Sequence, residues 1–141
     1  MNEYTGKKRQ GAASAIVGAS PPLAQARGRL GEARAAEWLV AQGLKILARN
    51  VRCRAGEVDL VCLDRDALVF VEVRLRSNAR YGGAAESITA AKRHRIVFAA
   101  RWWLTVAGRA HQNRPCRFDA VLFDDAEATT PRWIRGAFGW D

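Results

Sequence analysis

"GEVDLVCLDRDALVFVEVRLRS", residues 56–77, sets acids among Val, Leu, Phe and Cys. Alternating apolar and β-branched residues mark "EVDLVCL" and "LVFVEVRL" as two strands, with "DRDA" as the turn between them. Antiparallel pairing about Arg65 and Asp66 sets Leu63 opposite Leu68, Val61 opposite Phe70 and Asp59 opposite Glu72. Glu57 and Arg74 come one step further along the same face. Two carboxylates this close destabilise a sheet unless they share a proton, find a basic partner or bind a cation. Carboxylate oxygens suit a hard cation, and Mg²⁺ commonly takes one or two of them with phosphate oxygens and waters. The ordinary alternative is an exposed face on which Glu57, Asp59, Glu72 and Arg74 make surface salt bridges. Val61, Leu63, Leu68 and Phe70 share that face, which favours a polar pocket at the rim of a packed sheet.

Outward from this hairpin, the pattern is helical from Ala24 to Gln42, and Gly43 is placed to cap that helix. "LKILARNVRC" reads as a strand ahead of the hairpin, with "RAG" at 54–56 as the turn. A second helix is expected from about Ser87 to Val106, then a strand "CRFDAVLF" and an edge segment "RWIRGAFGW". Helix, three strands, helix and strand make an α/β fold, a mixed central sheet flanked by helices. On the first helix Glu32 aligns with Ala35, Ala36 and Leu39 along the inward stripe. On the second, Lys92 heads the stripe Ile96, Ala99, Trp103 and Val106, either as a snorkelling lysine or as part of a site. Residues 1–22, rich in Gly, Ala and Ser, read as a disordered basic tail, and 23–141 as one domain.

Lys and Arg number 23 against 14 acids in 141 residues, a formal net charge of +9. That excess, mostly Arg, favours a polyanionic partner such as nucleic acid. No run is long and apolar enough for a membrane helix, and the tail has too few strong hydrophobes for a secretory signal. Cys53, Cys62 and Cys116 are widely spaced and contain no C-x-x-C pair. They suggest a reducing compartment, hence the cytoplasm, with Cys62 as a buried free thiol.

The stretches "GEARAAEWL", "NVRCRAGEVDLV", "VFVEVRLRS", "ESITAAKRHRI" and "CRFDAVLF" together resemble the YraN family, also called the uncharacterised protein family 0102. The resemblance runs from residue 28 to about residue 140. Members of that family look like the restriction endonuclease-like, or PD-(D/E)xK, nucleases that include archaeal Holliday junction resolvases. The resemblance implies an α-β-β-β-α-β nuclease core in which Asp59 and Glu72 are metal carboxylates. It makes Glu32 the helical acid that completes or orients the metal shell. Mg²⁺ or Mn²⁺ is the implied cofactor and DNA, perhaps branched, the implied substrate. Arg74 stands where the family pattern "EVK" has lysine. An arginine supplies charge and two donors, but with a pKa above about 12 it cannot act as a base. Arg74 would contact the attacked phosphate, and Arg76, Arg80, Lys92, Arg93 and Arg95 would line the backbone path.

Three readings follow. The first is a metal-dependent DNA phosphodiesterase. The second is a nucleic acid-binding module of the same fold without turnover. The third is a protein-interaction domain presenting Trp102, Trp103, Trp133 and Trp140, although core packing is the ordinary reading of these tryptophans, Trp103 above all, and a homodimer stays open.

Overall fold

The computed structural model describes residues 23–75, 88–125 and 127–141, with side chains from residue 30 onward. The tail at 1–22 and Arg76, Arg80 and Ser87 lie outside the described residues. In chain order the elements are α1 (Leu23–Ala41), β1 (Lys45–Cys53), β2 (Gly56–Asp64) and β3 (Ala67–Leu75). Then come α2 (Ala90–Val106), a 3₁₀ turn (Arg109–His111), β4 (Cys116–Phe123) and β5 (Arg132–Phe138). The strands form one mixed sheet in the order β1-β2-β3-β4-β5. Only β3 and β4 run parallel, because α2 carries the chain back between them. This is the α/β architecture expected from the sequence.

Local chemistry explains the element ends. Gly43 takes the left-handed region at φ 100°. Its N–H donates to the Val40 carbonyl at 2.9 Å, and that of Leu44 to the Leu39 carbonyl at 3.0 Å. These two bonds are those of a Schellman cap, with Leu39 and Leu44 buried in the same cluster beneath it. Helix α2 starts at Ala90, later than the expected Ser87, because the Thr89 hydroxyl accepts from the Lys92 N–H at 3.1 Å.

The β2–β3 hairpin closes through a two-residue turn with Asp64 opposite Ala67 and Leu60 opposite Val71, the expected register. Successive residues of β3 point to opposite faces, and both faces are covered. Leu68 and Phe70 join Ile96, Ala99, Trp103 and Phe118 on the α2 side. Val69 and Val71 join Ala35, Ala36, Leu39, Val121 and Phe123 on the α1 side. A strand buried on both faces reads as a continuous apolar run, which is why β3 spells "LVFV".

One expectation is corrected. Val106 is exposed, so the inward stripe of α2 ends at Trp103. The tryptophans pack against the core, Trp103 most of all: it is buried, stacked on His111 and edge-on to Phe70. Trp102 and Trp140 pack half-buried on the α2-side cluster, and Trp133 packs on the α1 side, edge-on to Trp38.

Gly56 sets the height of α2 over the sheet. A methyl group at this position would overlap the Arg95 carbonyl, so only a glycine lets the helix backbone press on the β1–β2 turn. That contact holds the first turns of α2, including Lys92, above the open end of the hairpin.

Candidate active site at the fork between two strands

The β2–β3 ladder stops at Leu60 and Val71. Beyond it the Val73 N–H donates to Asp59 Oδ2 at 2.8 Å. Asp59 therefore does not face Glu72 across a continuing ladder, as the hairpin count expects. The strands splay, and the Asp59 carboxylate fills the fork.

Glu72 is 2% exposed, which excludes the surface salt-bridge alternative for this residue. Its Oε2 lies 3.5 Å from Arg74 Nη1 and 3.5 Å from Lys92 Nζ. Lys92 thus reaches in from α2 to the buried Glu72 carboxylate and does not merely snorkel to solvent. Glu32 arrives from α1, close enough to Asp59 for burial and that carboxylate's charge together to raise its own carboxyl. Asp59 is the hinge of the group, with one glutamate from each side of the sheet against it.

The carboxyls respond to this crowding. Burial pushes the Glu72 carboxyl up to about 8, assisted by the Asp59 charge and by a hydrogen bond to Asp59, while Lys92 and Arg74 pull it down. Glu32 is likewise pushed up to about 8, first by burial and then by Asp59, against Asn50 and Arg52. Near neutral pH the two glutamates can hold protons and donate them to Asp59. Protons and basic partners together thus answer the repulsion that the sequence poses.

The other expected residues divide. Arg95 is exposed and pairs at 3.9 Å with Glu57. Glu57 is opposite Arg52 in the β1–β2 ladder and lies beyond the β2–β3 pairs, off the rung expected with Arg74. Arg93 Nη1 donates to the Ile88 carbonyl at 3.0 Å, securing the entry to α2. Arg76 and Arg80 fall outside the described residues.

Sequence reading missed a second buried acid. Asp119 in β4 is fully buried and accepts four hydrogen bonds. Arg117 donates through Nε to Oδ1 at 2.8 Å and through Nη2 to Oδ2 at 2.9 Å. The Gly136 N–H adds a bond to Oδ1 at 3.0 Å, and Trp133 Nε1 one to Oδ2 at 2.9 Å. Arg117 also reaches Asp64 at 2.9 Å, tying the hairpin turn to β4. The signal was present: an Arg and an Asp two apart in an apolar strand share one face. Four bonds use the whole acceptor capacity of a carboxylate, so Asp119 is structural. Glu72 differs, held by longer ion pairs and by a partner of its own sign.

Among the described residues, no three His, Cys, Asp or Glu side chains form a group that could hold a metal ion by themselves. The donors at the fork are all oxygen, which fits a hard cation completed by ligands from outside the chain.

The profile of the uncharacterised protein family UPF0102 matches residues 31–123, from the helix turn carrying Glu32 to the end of β4. The chain belongs to the UPF0102 family. A UPF0102 protein of Methylobacillus flagellatus is 49% identical over 107 residues, covering 76% of this chain and 91% of its own length. One of Alkalilimnicola ehrlichii is 50% identical over 111 residues, covering 79% of this chain and 85% of its own. A third, of Bordetella parapertussis, is 51% identical over 124 residues, 86% of this chain and 67% of its own. The UPF0102 match takes in every residue of the fork, whereas β5, with the Trp133 and Gly136 donors to Asp119, lies beyond it. Among the described residues of this UPF0102 chain, no helix is long and apolar enough to cross a membrane.

Proposed function

We propose that the protein binds nucleic acid, DNA above all, through the fork and acts there as a Mg²⁺- or Mn²⁺-dependent phosphodiesterase. The observation that carries this reading is Glu72, buried beside Asp59 with Lys92 and Arg74 at 3.5 Å. Acids that crowd each other away from water, with cations at their edge, suit a site for a divalent ion and a phosphate. Asp59 and Glu72 would hold the ion, and Glu32 would orient the shell through Asp59. When bound, the ion lowers the pKa of a water and offsets charge at the scissile phosphate. Arg74 and Lys92 neutralise the phosphate, and Arg95 extends the positive rim. The net charge of +9 supports binding that depends on charge more than on base sequence. The three free cysteines fit action in the reducing cytoplasm.

Arg74 favours a second reading, a binding module without turnover, because a guanidinium cannot take a proton from water. The two readings separate experimentally. Calorimetry with Mn²⁺ and cleavage assays on duplex and branched DNA are compared for wild type, Arg74→Lys and Arg74→Ala. The lysine variant is expected to keep or raise cleavage, and the alanine variant to lower both cleavage and DNA affinity. Mn²⁺ binding without cleavage by either wild type or Arg74→Lys would leave only the binding module.

Charge-driven binding has its own test. With about four phosphate contacts, DNA affinity should fall about 100-fold between roughly 50 and 200 mM salt. No DNA binding at low salt would overturn both readings.

A further inference from the structure

We propose that Arg49 and Arg52 form a second phosphate-binding pair, holding a nucleic acid backbone on the α1 face of the sheet while Arg74 and Lys92 hold it on the α2 face. This deepens the reading of the fork as a nucleic acid site and rests on it. Register and packing place the pair. Val51 and Cys53 pack on the α2-side cluster, so Arg52 between them belongs to the α1 face. Arg49 is the ladder partner of Leu60, a member of the α1-side cluster, and takes the same face. Residues three apart in a regular strand point to opposite faces. Here the alternation breaks at Asn50, whose φ is 51°, and at Asp59, level with it in β2. On either side of Asp59, Val58 packs in the α2-side cluster and Leu60 in the α1-side cluster. Arg49 and Arg52 therefore straddle the Asp59 rung from the edge strand of the sheet.

Both arginines are exposed, and among the described residues neither forms an ion pair. Glu57, the ladder partner of Arg52, meets Arg95 instead, at 3.9 Å. Two guanidinium groups on one face with no acid paired to either leave a positive charge for an anion to meet, and their donor forks match phosphate oxygens. On the other side of the fork, Val73 and Leu75 pack on the α1 side, so Glu72 and Arg74 between and before them take the α2 face with Lys92. Strands β1 and β3 are two steps apart in the sheet, about 10 Å at roughly 4.8 Å a step. Opposite faces and that separation suit two phosphates of one backbone, with the carboxylates of the fork between them.

The test uses the full chain and a labelled DNA duplex, without divalent ions so that cleavage does not intervene, between roughly 50 and 200 mM salt. Arg49→Gln with Arg52→Gln should weaken binding at least about tenfold at the low end. It should also make the slope of log affinity against log salt shallower by about 1.8, the loss of two phosphate contacts. Arg109→Gln with Arg132→Gln removes the same charge from exposed positions beyond α2 and on β5, and should leave the slope near that of wild type. Arg49→Lys with Arg52→Lys keeps the charge and should keep the slope. An unchanged slope in the Arg49 and Arg52 glutamine variant overturns the proposal. Equal losses in the two glutamine variants do so as well, because net charge alone would then account for binding. If wild type binds no duplex, the reading of the fork falls together with this pair; if wild type binds and only the pair is without effect, the pair alone falls. Should the double glutamine variant not fold, the single changes decide, each expected to make the slope shallower by about 0.9.

Discussion

Asp59→Asn is expected to abolish Mn²⁺ binding and DNA cleavage while leaving the metal-free protein at least as stable as wild type above pH 7. The sign follows from the glutamates. Glu32 and Glu72 titrate near 8 in the folded protein against an ordinary value of 4.5. Between those values the native state holds more protons than the unfolded chain. Their contribution to stability is therefore complete below the ordinary value and is lost as pH rises through about 8. Metal-free wild type should show a thermal midpoint that falls from pH 5 to pH 9, by about 5 °C or more. Asparagine at 59 removes the charge and can still accept from the Val73 N–H, so repulsion goes and burial remains. The fall should become shallower and persist. In wild type, Mn²⁺ should restore stability most strongly at the alkaline end, where the carboxyls no longer need to lose protons to bind it. Thermal denaturation across this range, with and without Mn²⁺, checks each statement. A flat metal-free profile in wild type would count against the crowding of the three acids.

Asp119→Ala should cost about 3–5 kcal/mol, a loss on the scale of the whole stability of many small domains. Removing the carboxylate strands the Arg117 guanidinium, the Trp133 indole N–H and the Gly136 N–H at once. Arg117 keeps only Asp64, and β5 loses two of its ties to β4. Asp119→Asn keeps the shape but lacks the charge and half the acceptor capacity, and should cost less. Urea denaturation gives both values from the shift in midpoint at constant slope. A cost below about 1 kcal/mol for the alanine variant would mean that water replaces the lost bonds, as at an exposed pair.

The UPF0102 match and the fold leave the chemistry to particular side chains, and those side chains differed in how far the sequence revealed them. The hairpin was legible because periodicity and turn residues act locally: the pairs from Asp64 with Ala67 to Leu60 with Val71 stand where counting puts them. The inward place of Ala35, Ala36, Leu39 and Ile96 was legible for the same reason, as was the cap at Gly43. Counting along a ladder assumes that the ladder continues, and at Asp59 it does not. The left-handed backbone at Asn50, φ 51°, and the opening of the strands give no periodic signal.

Asp59 and Asp119 look alike as letters, each an acid between two apolar residues of a strand. Only the tertiary structure separates them. Asp119 meets four donors from β4 and β5 and is saturated, while Asp59 meets two other acids and a single backbone N–H. The sequence by itself determined the elements, the hairpin register and which acids lie in strands, since these depend on neighbours within a few residues. The tertiary structure decided which acids crowd, which are neutralised and where Lys92 reaches. Burial and charge coupling act between elements far apart in the chain, and no local pattern encodes them.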